Sequence, residues 1–157
     1  MSKRSFAFKK RTHIDGIQNG FQEKIRHKDI ISVRSDFIDL LYGEMPFNTR
    51  YTRFRERYKG FGVSNITCML SLVFPDEHIT VDRYSVTGLA KLNPVDMQPV
   101  HDIKELLNEK DGGVYSHYVG LCKEIRCKMW DLPSLSGADL TTVHEFFYYL
   151  STKTDAG

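Results

Sequence analysis

Residues 58–84 read YKGFGVSNITCMLSLVFPDEHITVDRY, and the fold turns on how this stretch is read. Gly60 and Gly62 flank Phe61 in a tight turn. Glycine tolerates positive φ and lets another backbone come close. Val63, Ile66, Met69, Leu70, Val73 and Phe74 then recur at helical spacing, which predicts a strongly apolar helix near the centre of the molecule. Pro75-Asp76 stops it, because proline lacks an N–H and clashes with the preceding turn. A short link from Glu77 to Val81 leads to Asp82, a favoured helix N-cap, and a further helix runs to about Leu92 with Val86, Leu89 and Ala90 apolar. A turn rich in backbone N–H groups thus lies one helix and one loop before a carboxylate. Such an arrangement suits a protein that holds a phosphate.

Immediately upstream, Tyr51, Phe54 and Tyr58 share one helical face between Asn48 and Tyr58. Arg50, Arg53, Arg55, Arg57 and Lys59 crowd the remainder, with Glu56 the only acid. A charge run on a helix is commonly its solvated face. A run of nearly one sign repels itself, however, and is better explained by contact with a polyanion. Further upstream, Ser35 reads as the cap of a helix buried through Phe37, Leu40 and Leu41 and ended by Gly43 and Pro46. Ile14, Ile17, Phe21 and Ile25 give a short amphipathic first helix. Residues 1–12 form a basic arm carrying Lys3, Arg4, Lys9, Lys10 and Arg11, either frayed and solvated or lying along a nucleic-acid backbone.

Downstream, Asn93-Pro94 closes the Asp82 helix, and Ile103, Leu106 and Leu107 make a short helix ending before Gly112-Gly113. Tyr115, Tyr118, Val119, Cys122 and Ile125 line a longer helix. Ser136-x-x-Asp139 resembles a capping box and announces a last helix buried through Leu140, Val143, Phe146, Phe147 and Leu150. The tail STKTDAG reads as disordered. No period-2 strand and no internal repeat stand out. The expected fold is all-α, a compact array of about seven or eight short helices in a single domain over 13–151, with 152–157 as the tail.

The 157 residues suffice for one cored domain, with 41% apolar and 12% aromatic content and a mild net charge of +2. Cys68, Cys122 and Cys127 contain no CxxC pair and read as reduced core thiols, consistent with a cytoplasmic protein. The six histidines show no metal-ligand spacing, so neither a metal nor a cofactor is expected. The basic start lacks the apolar run of a signal peptide, and no stretch reaches the length of a membrane span.

The segment KGFGVSNITCMLSLVFPDEHITVDRYSV resembles the helix-hairpin-helix and Gly/Pro-Asp signature of the DNA base-excision glycosylase superfamily, its endonuclease III-like branch in particular. Gly60-Phe61-Gly62 stands where that family has its hairpin glycines, and Val81-Asp82 where it has its catalytic aspartate. The resemblance implies binding of double-stranded DNA by Gly60, Phe61, Gly62 and Ser64, with Arg53, Arg57 and Lys59 on the backbone. It also implies that Asp82 faces the sugar of a flipped nucleotide and stabilises an oxocarbenium-like charge or orients water. Tyr42, Glu44, Phe47, His78, Arg83 and Tyr84 are candidates for a base pocket. Each has a plainer role open to it in packing, loop or surface, and Asp82 has one as a helix cap.

Bifunctional members carry a Schiff-base lysine where this chain has Ser64, so the resemblance implies a monofunctional, water-using glycosylase. The iron–sulfur cysteines of several branches are missing, and the segment before the hairpin is short, which leaves room for a partner chain to complete the site. The alternative is a catalytically silent DNA-binding or assembly subunit, for instance of a genome-defence or restriction-linked system.

Overall fold

The structure is a computed structural model that describes residues 25–26, 28–92 and 112–153. Among these residues it is all-helical, with six α-helices, one 3-10 turn and no strand. The helices are α1 (Ile30–Tyr42), α2 (Phe47–Arg57), α3 (Val63–Val73), α4 (Arg83–Lys91), α5 (Gly112–Trp130) and α6 (Leu140–Thr152), and the 3-10 turn spans Pro133–Leu135. Of the helix expected over Ile14–Ile25 only Ile25, at its end and helical, is described; the helix expected around Ile103–Leu107 and the basic arm lie outside the described residues.

α3 is largely buried: Ile66 and Thr67 are fully so, with Val63, Cys68, Leu70 and Ser71 nearly so, while Leu72 and Val73 at its end are exposed. Ser64 and Asn65 are half-buried at its start, so its buried stripe covers most but not all of its surface. The α4–α6 pair is the most extensively packed and crosses closely at Gly88. A Cβ there would lie 2.2 Å from the Phe147 carbonyl oxygen, so only glycine permits the approach. α2 packs on α5 through stacked Tyr51 and Tyr115 rings, 5.3 Å apart, and on α1 through Phe37 and Phe54.

Three helix starts differ from the sequence-based expectation. α1 is capped by Asp29, whose carboxylate accepts from Ile31 N and Ser32 N, and Ser35 lies inside the helix. α5 begins at Gly112 rather than after a glycine break; the Gly112 N–H donates to Thr52 Oγ1, and a Cβ would meet the Asn48 backbone at 2.6 Å. The last helix is capped by Asp139, which accepts from Thr142 N, with Ser136 in the preceding turn. At the other end of α6, Ser151 and Thr152 are helical instead of belonging to a disordered tail. Cys68 and Cys122 are buried, but Cys127 is exposed and is not a core thiol.

The nine residues Phe74–Asp82, which join α3 to α4, have no helical structure of their own. Side chains from α3 and α5 and a backbone N–H of α6 pin them. Val81 N donates to Thr67 Oγ1 at 2.9 Å, the Ser71 and Thr80 hydroxyls meet at 2.9 Å, and the Tyr115 hydroxyl donates to the Ile79 carbonyl at 3.1 Å. Leu140 N donates to the Pro75 carbonyl, and Arg126 donates to the Asp76 carbonyl. Buried backbone groups outside regular structure need such partners.

Candidate functional site

The turn between α2 and α3 has one residue at positive φ, Gly60, at 87°. The chain reverses there because Phe61 N donates to the Tyr58 carbonyl, while the Arg55 guanidinium donates to the Phe61 carbonyl at 2.7 Å. The Phe61 ring is buried against Phe54 and anchors the turn from inside. Gly62 is the N-cap of α3 and supplies no side-chain cap, so no side chain at the cap covers the first N–H groups of that helix, Val63 and Ser64 among them. Its φ of −63° suits any residue, and nothing among the described residues lies within 4 Å of where its Cβ would be. The fold therefore needs a glycine at 60 but not at 62.

The basic run of α2 divides into two sets. Arg50 turns back onto the end of α1, donating to the carbonyls of Asp39, Leu40 and Met45, and so caps the negative end of that helix. Arg55 is buried and holds the turn. Arg53, Arg57 and Lys59 are exposed, as is Lys28, which donates to the Arg57 carbonyl and lies over the Tyr58 ring. Asp36 pairs with Arg57 at 2.5 Å and accepts from the Tyr58 hydroxyl, while Asp39 approaches Arg53 at 3.9 Å. Burial, with the Asp36 hydrogen bond next, raises the Tyr58 phenol to about 12. These carboxylates come from α1, so the single-sign field read from α2 alone is partly neutralised in the folded protein.

Asp82 is the N-cap of α4 within a reciprocal capping box. Its Oδ1 accepts from Ser85 N at 2.8 Å, and its own N–H donates to Ser85 Oγ. Its Oδ2 lies 3.2 Å from His144 Nε2 on α6. The two side chains are 16% and 23% exposed, so this Asp–His pair sits at the edge of the protein with a narrow opening to solvent. Beneath it, the buried Tyr118 hydroxyl is held well above its ordinary pKa, by burial and then by the neighbouring Cys122.

A cleft of about 420 Å³ opens between α1, α2 and α5, lined by Tyr42, Phe47, Phe74, His78, Tyr115 and Lys123 among others. A second, of about 330 Å³, follows the charged α1–α2 seam around Asp36, Arg53 and Arg57. Asp82 lines neither. Comparison with known proteins finds no matching family model, no matching curated protein and no matching solved structure.

The base-pocket candidates separate into groups. Tyr42, Phe47 and His78 meet in the aromatic cleft. Glu44 is exposed on the loop after α1 and lines neither cleft. Arg83 donates to the Tyr84 hydroxyl and lies over its ring, and Tyr84 packs on Tyr148 of α6, away from that cleft. Sequence reasoning missed His144, Tyr115 as a cleft residue, and Lys123. His144 lies one helical turn before Tyr148, on the face of α6 that meets α4, but its contact with Asp82 spans 62 positions. Among the described residues no group of three or more His, Cys, Asp and Glu side chains could hold a metal ion. No helix among them is long and apolar enough to cross a membrane.

Proposed function

We propose that this chain binds duplex DNA through its backbone, with the Tyr58–Gly62 turn and the start of α3 as a helix-hairpin-helix phosphate cradle. The observation that carries this reading is Gly62. It is a glycine that the fold does not require, placed at an uncapped helix N-terminus with open space above it. Room for a phosphate oxygen against backbone N–H groups is a use for that space, and the helix dipole favours the negative charge. Exposed Lys59 lies in the turn itself and Lys28 beside it on Arg57 and Tyr58, while Arg53 and Arg57 on the preceding helix are exposed and face Asp39 and Asp36.

Replacing Gly62 with Ser separates this role from stability. Serine is a slightly better N-cap than glycine, so Gly62→Ser should leave stability unchanged or raise it by ~0.3 kcal/mol. Its side chain would cover the same N–H groups and weaken binding to a DNA duplex. Lys59→Gln and Arg53→Gln should weaken binding uniformly across sequences and reduce the slope of log affinity against log salt by ~0.9 for each phosphate no longer neutralised. Fluorescence anisotropy over a salt series measures both, and an unchanged slope in all three variants would sink the proposal.

Of the two forms this function can take, the geometry favours a binding module over a glycosylase. Both Asp82 carboxylate oxygens are engaged, and the carboxylate is outside the clefts. The enzyme reading keeps one supporting observation: Asp82 is not alone but has the His144 imidazole 3.2 Å from its Oδ2. Asp82→Asn discriminates. Asparagine caps as well as aspartate, so the fold should persist. A glycosylase would lose abasic-site formation with binding intact, whereas a module would form no abasic sites in either form.

A further inference from the structure

The aromatic cleft carries chemistry that the hairpin does not use. Its volume of about 420 Å³ lies in the range of small-molecule sites. Tyr42 at its mouth is 65% exposed, with its ring edge-on to Phe74 at 5.6 Å. Phe47 and His78 form the inner wall, 4.8 Å apart, and His78 stacks on Tyr115. Large aromatic surface left open beside a protein core is a platform for another ring.

The polar atoms of the cleft can be assigned. The Tyr115 hydroxyl donates its single proton to the Ile79 carbonyl at 3.1 Å, because a carbonyl can only accept. Its oxygen can then only accept from His78 Nδ1, 3.3 Å away, so the proton of the neutral imidazole is on Nδ1. His78 Nε2 is left as a lone-pair acceptor. Burial, then Lys123 and Arg50, lower the His78 pKa to about 4, which keeps the ring neutral at physiological pH. At the rim, Arg50 is held by carbonyls, whereas Lys123 has no ion-pair partner among the described residues. The Glu77 carboxylate also lines the cleft, so a ligand fitted to it is flat and aromatic, offers N–H donors to the His78 and Glu77 acceptors, and carries its negative charge on the side of Lys123. Nucleobases bearing a phosphate meet all three requirements.

We propose that this cleft binds one unpaired nucleobase with its phosphate, stacking it on Tyr42 and Phe47, pairing a base N–H with His78 Nε2 and the phosphate with Lys123. The cleft is a reading site separate from Asp82. That the base belongs to a DNA strand rests on the hairpin reading; the cleft chemistry does not, and a free mononucleotide has the same groups.

The test uses the full chain. Backbone amide shifts are followed by NMR during titration with each of the four nucleoside monophosphates, with ribose 5-phosphate and inorganic phosphate as controls. Anisotropy then compares a fully paired duplex with one carrying a single bulged base. Mononucleotides should shift cleft residues where the two controls do not. Tyr42→Ala, at an exposed ring whose loss spares the core, should weaken their binding at least about fivefold. His78→Phe, which keeps a ring but removes the acceptor, should weaken the nucleotides and leave any phosphate binding unchanged. Lys123→Gln should flatten the salt dependence. A strand source shows as a preference for the bulged duplex that Tyr42→Ala abolishes; equal affinity for both duplexes assigns the cleft to free nucleotides. The inference is overturned if the controls bind as well as the nucleotides, if no nucleotide shifts the cleft, or if the three variants bind like the wild type. If Gly62→Ser and Lys59→Gln weaken duplex binding while the cleft variants change nothing, the hairpin reading survives and the cleft fails. The reverse pattern leaves the cleft and removes the hairpin.

Discussion

His78 shows how one side chain can report on the site it lines. Its imidazole is shielded and faces the positive charges of Lys123 and Arg50, so in the folded protein it takes a proton only near pH 4, against 6.5 for the ordinary residue. Between those values the unfolded chain binds a proton at this position and the folded chain does not. Stability should therefore fall as pH drops through the window from 6.5 to 4, and the contribution should be absent above it. Urea midpoints measured at pH 7 and pH 4.5 check this: His78→Phe should narrow the difference between them, because phenylalanine has no proton to gain. An equal difference in the two proteins would mean that the ring is not shielded, and the neutral acceptor invoked for the cleft would go with it. Residue-scale chemistry was the least legible part of the sequence. Tyr42, Phe47 and His78 stand out as aromatic or titratable groups near the hairpin, but only the fold brings Tyr115 and Lys123 to them. Likewise Asp82 reads as a cap, and is one, while its partner His144 sits on a helix that contacts it only after the chain has closed.

Among the elements, the α4–α6 pair depends on a single missing methyl group. Gly88 sits in mid-helix, where glycine costs about 1 kcal/mol relative to alanine by propensity. Gly88→Ala should nevertheless destabilise the protein, by about 1–3 kcal/mol, because the added Cβ meets Phe147 backbone atoms at 2.2–2.6 Å and backbone cannot rotate away. Denaturant unfolding measures it, and a stabilised variant would show that the helices do not cross there. Glycine at this position looks in the sequence like a weak spot in a helix, and at Gly112 like a helix end. In both places close approach of another backbone has overridden the local preference. The helices themselves were legible where their apolar residues face a core, as in α3, α4 and α6. The start of α1 was misread because Ile30 and Ile31 are 67% and 75% exposed, so its buried stripe begins later than the helix does. The Arg-rich α2 was legible as a helix but not as a surface. Two of its arginines bind carbonyls inside the fold, and Asp36 and Asp39 of α1 face two others.

At the scale of the whole molecule, α3 connects every feature with a proposed role. Its start follows the Tyr58–Gly62 turn proposed as a hairpin, and its far end leads into the segment that carries His78 into the cleft and Asp82 to the start of α4. That segment has no ladder of its own, so its position depends on the side chains that hold it, and Thr67 is the central one. The Thr67 hydroxyl donates to the Val63 carbonyl at 2.8 Å and accepts from Val81 N at 2.9 Å, with both side chains fully buried. One oxygen thus ties the residue before Asp82 to the first residue of α3. Thr67→Val preserves the shape and removes the acceptor, leaving the Val81 N–H buried without a partner, at a cost of about 1–3 kcal/mol. Thr67→Ser keeps the oxygen and loses one methyl, at a cost of about 1 kcal/mol. If the hydroxyl holds the segment, Thr67→Val is the more damaging of the two, although valine is closer in volume and more apolar. Hydrogen exchange should localise the effect, with the Val81 amide losing protection in Thr67→Val and keeping it in Thr67→Ser. Equal stability in the two variants, with Val81 still protected, would mean that the segment is positioned by packing alone. The hairpin, the cleft and Asp82 would then be independent features of the surface, without a shared oxygen linking the end of the segment to the start of α3.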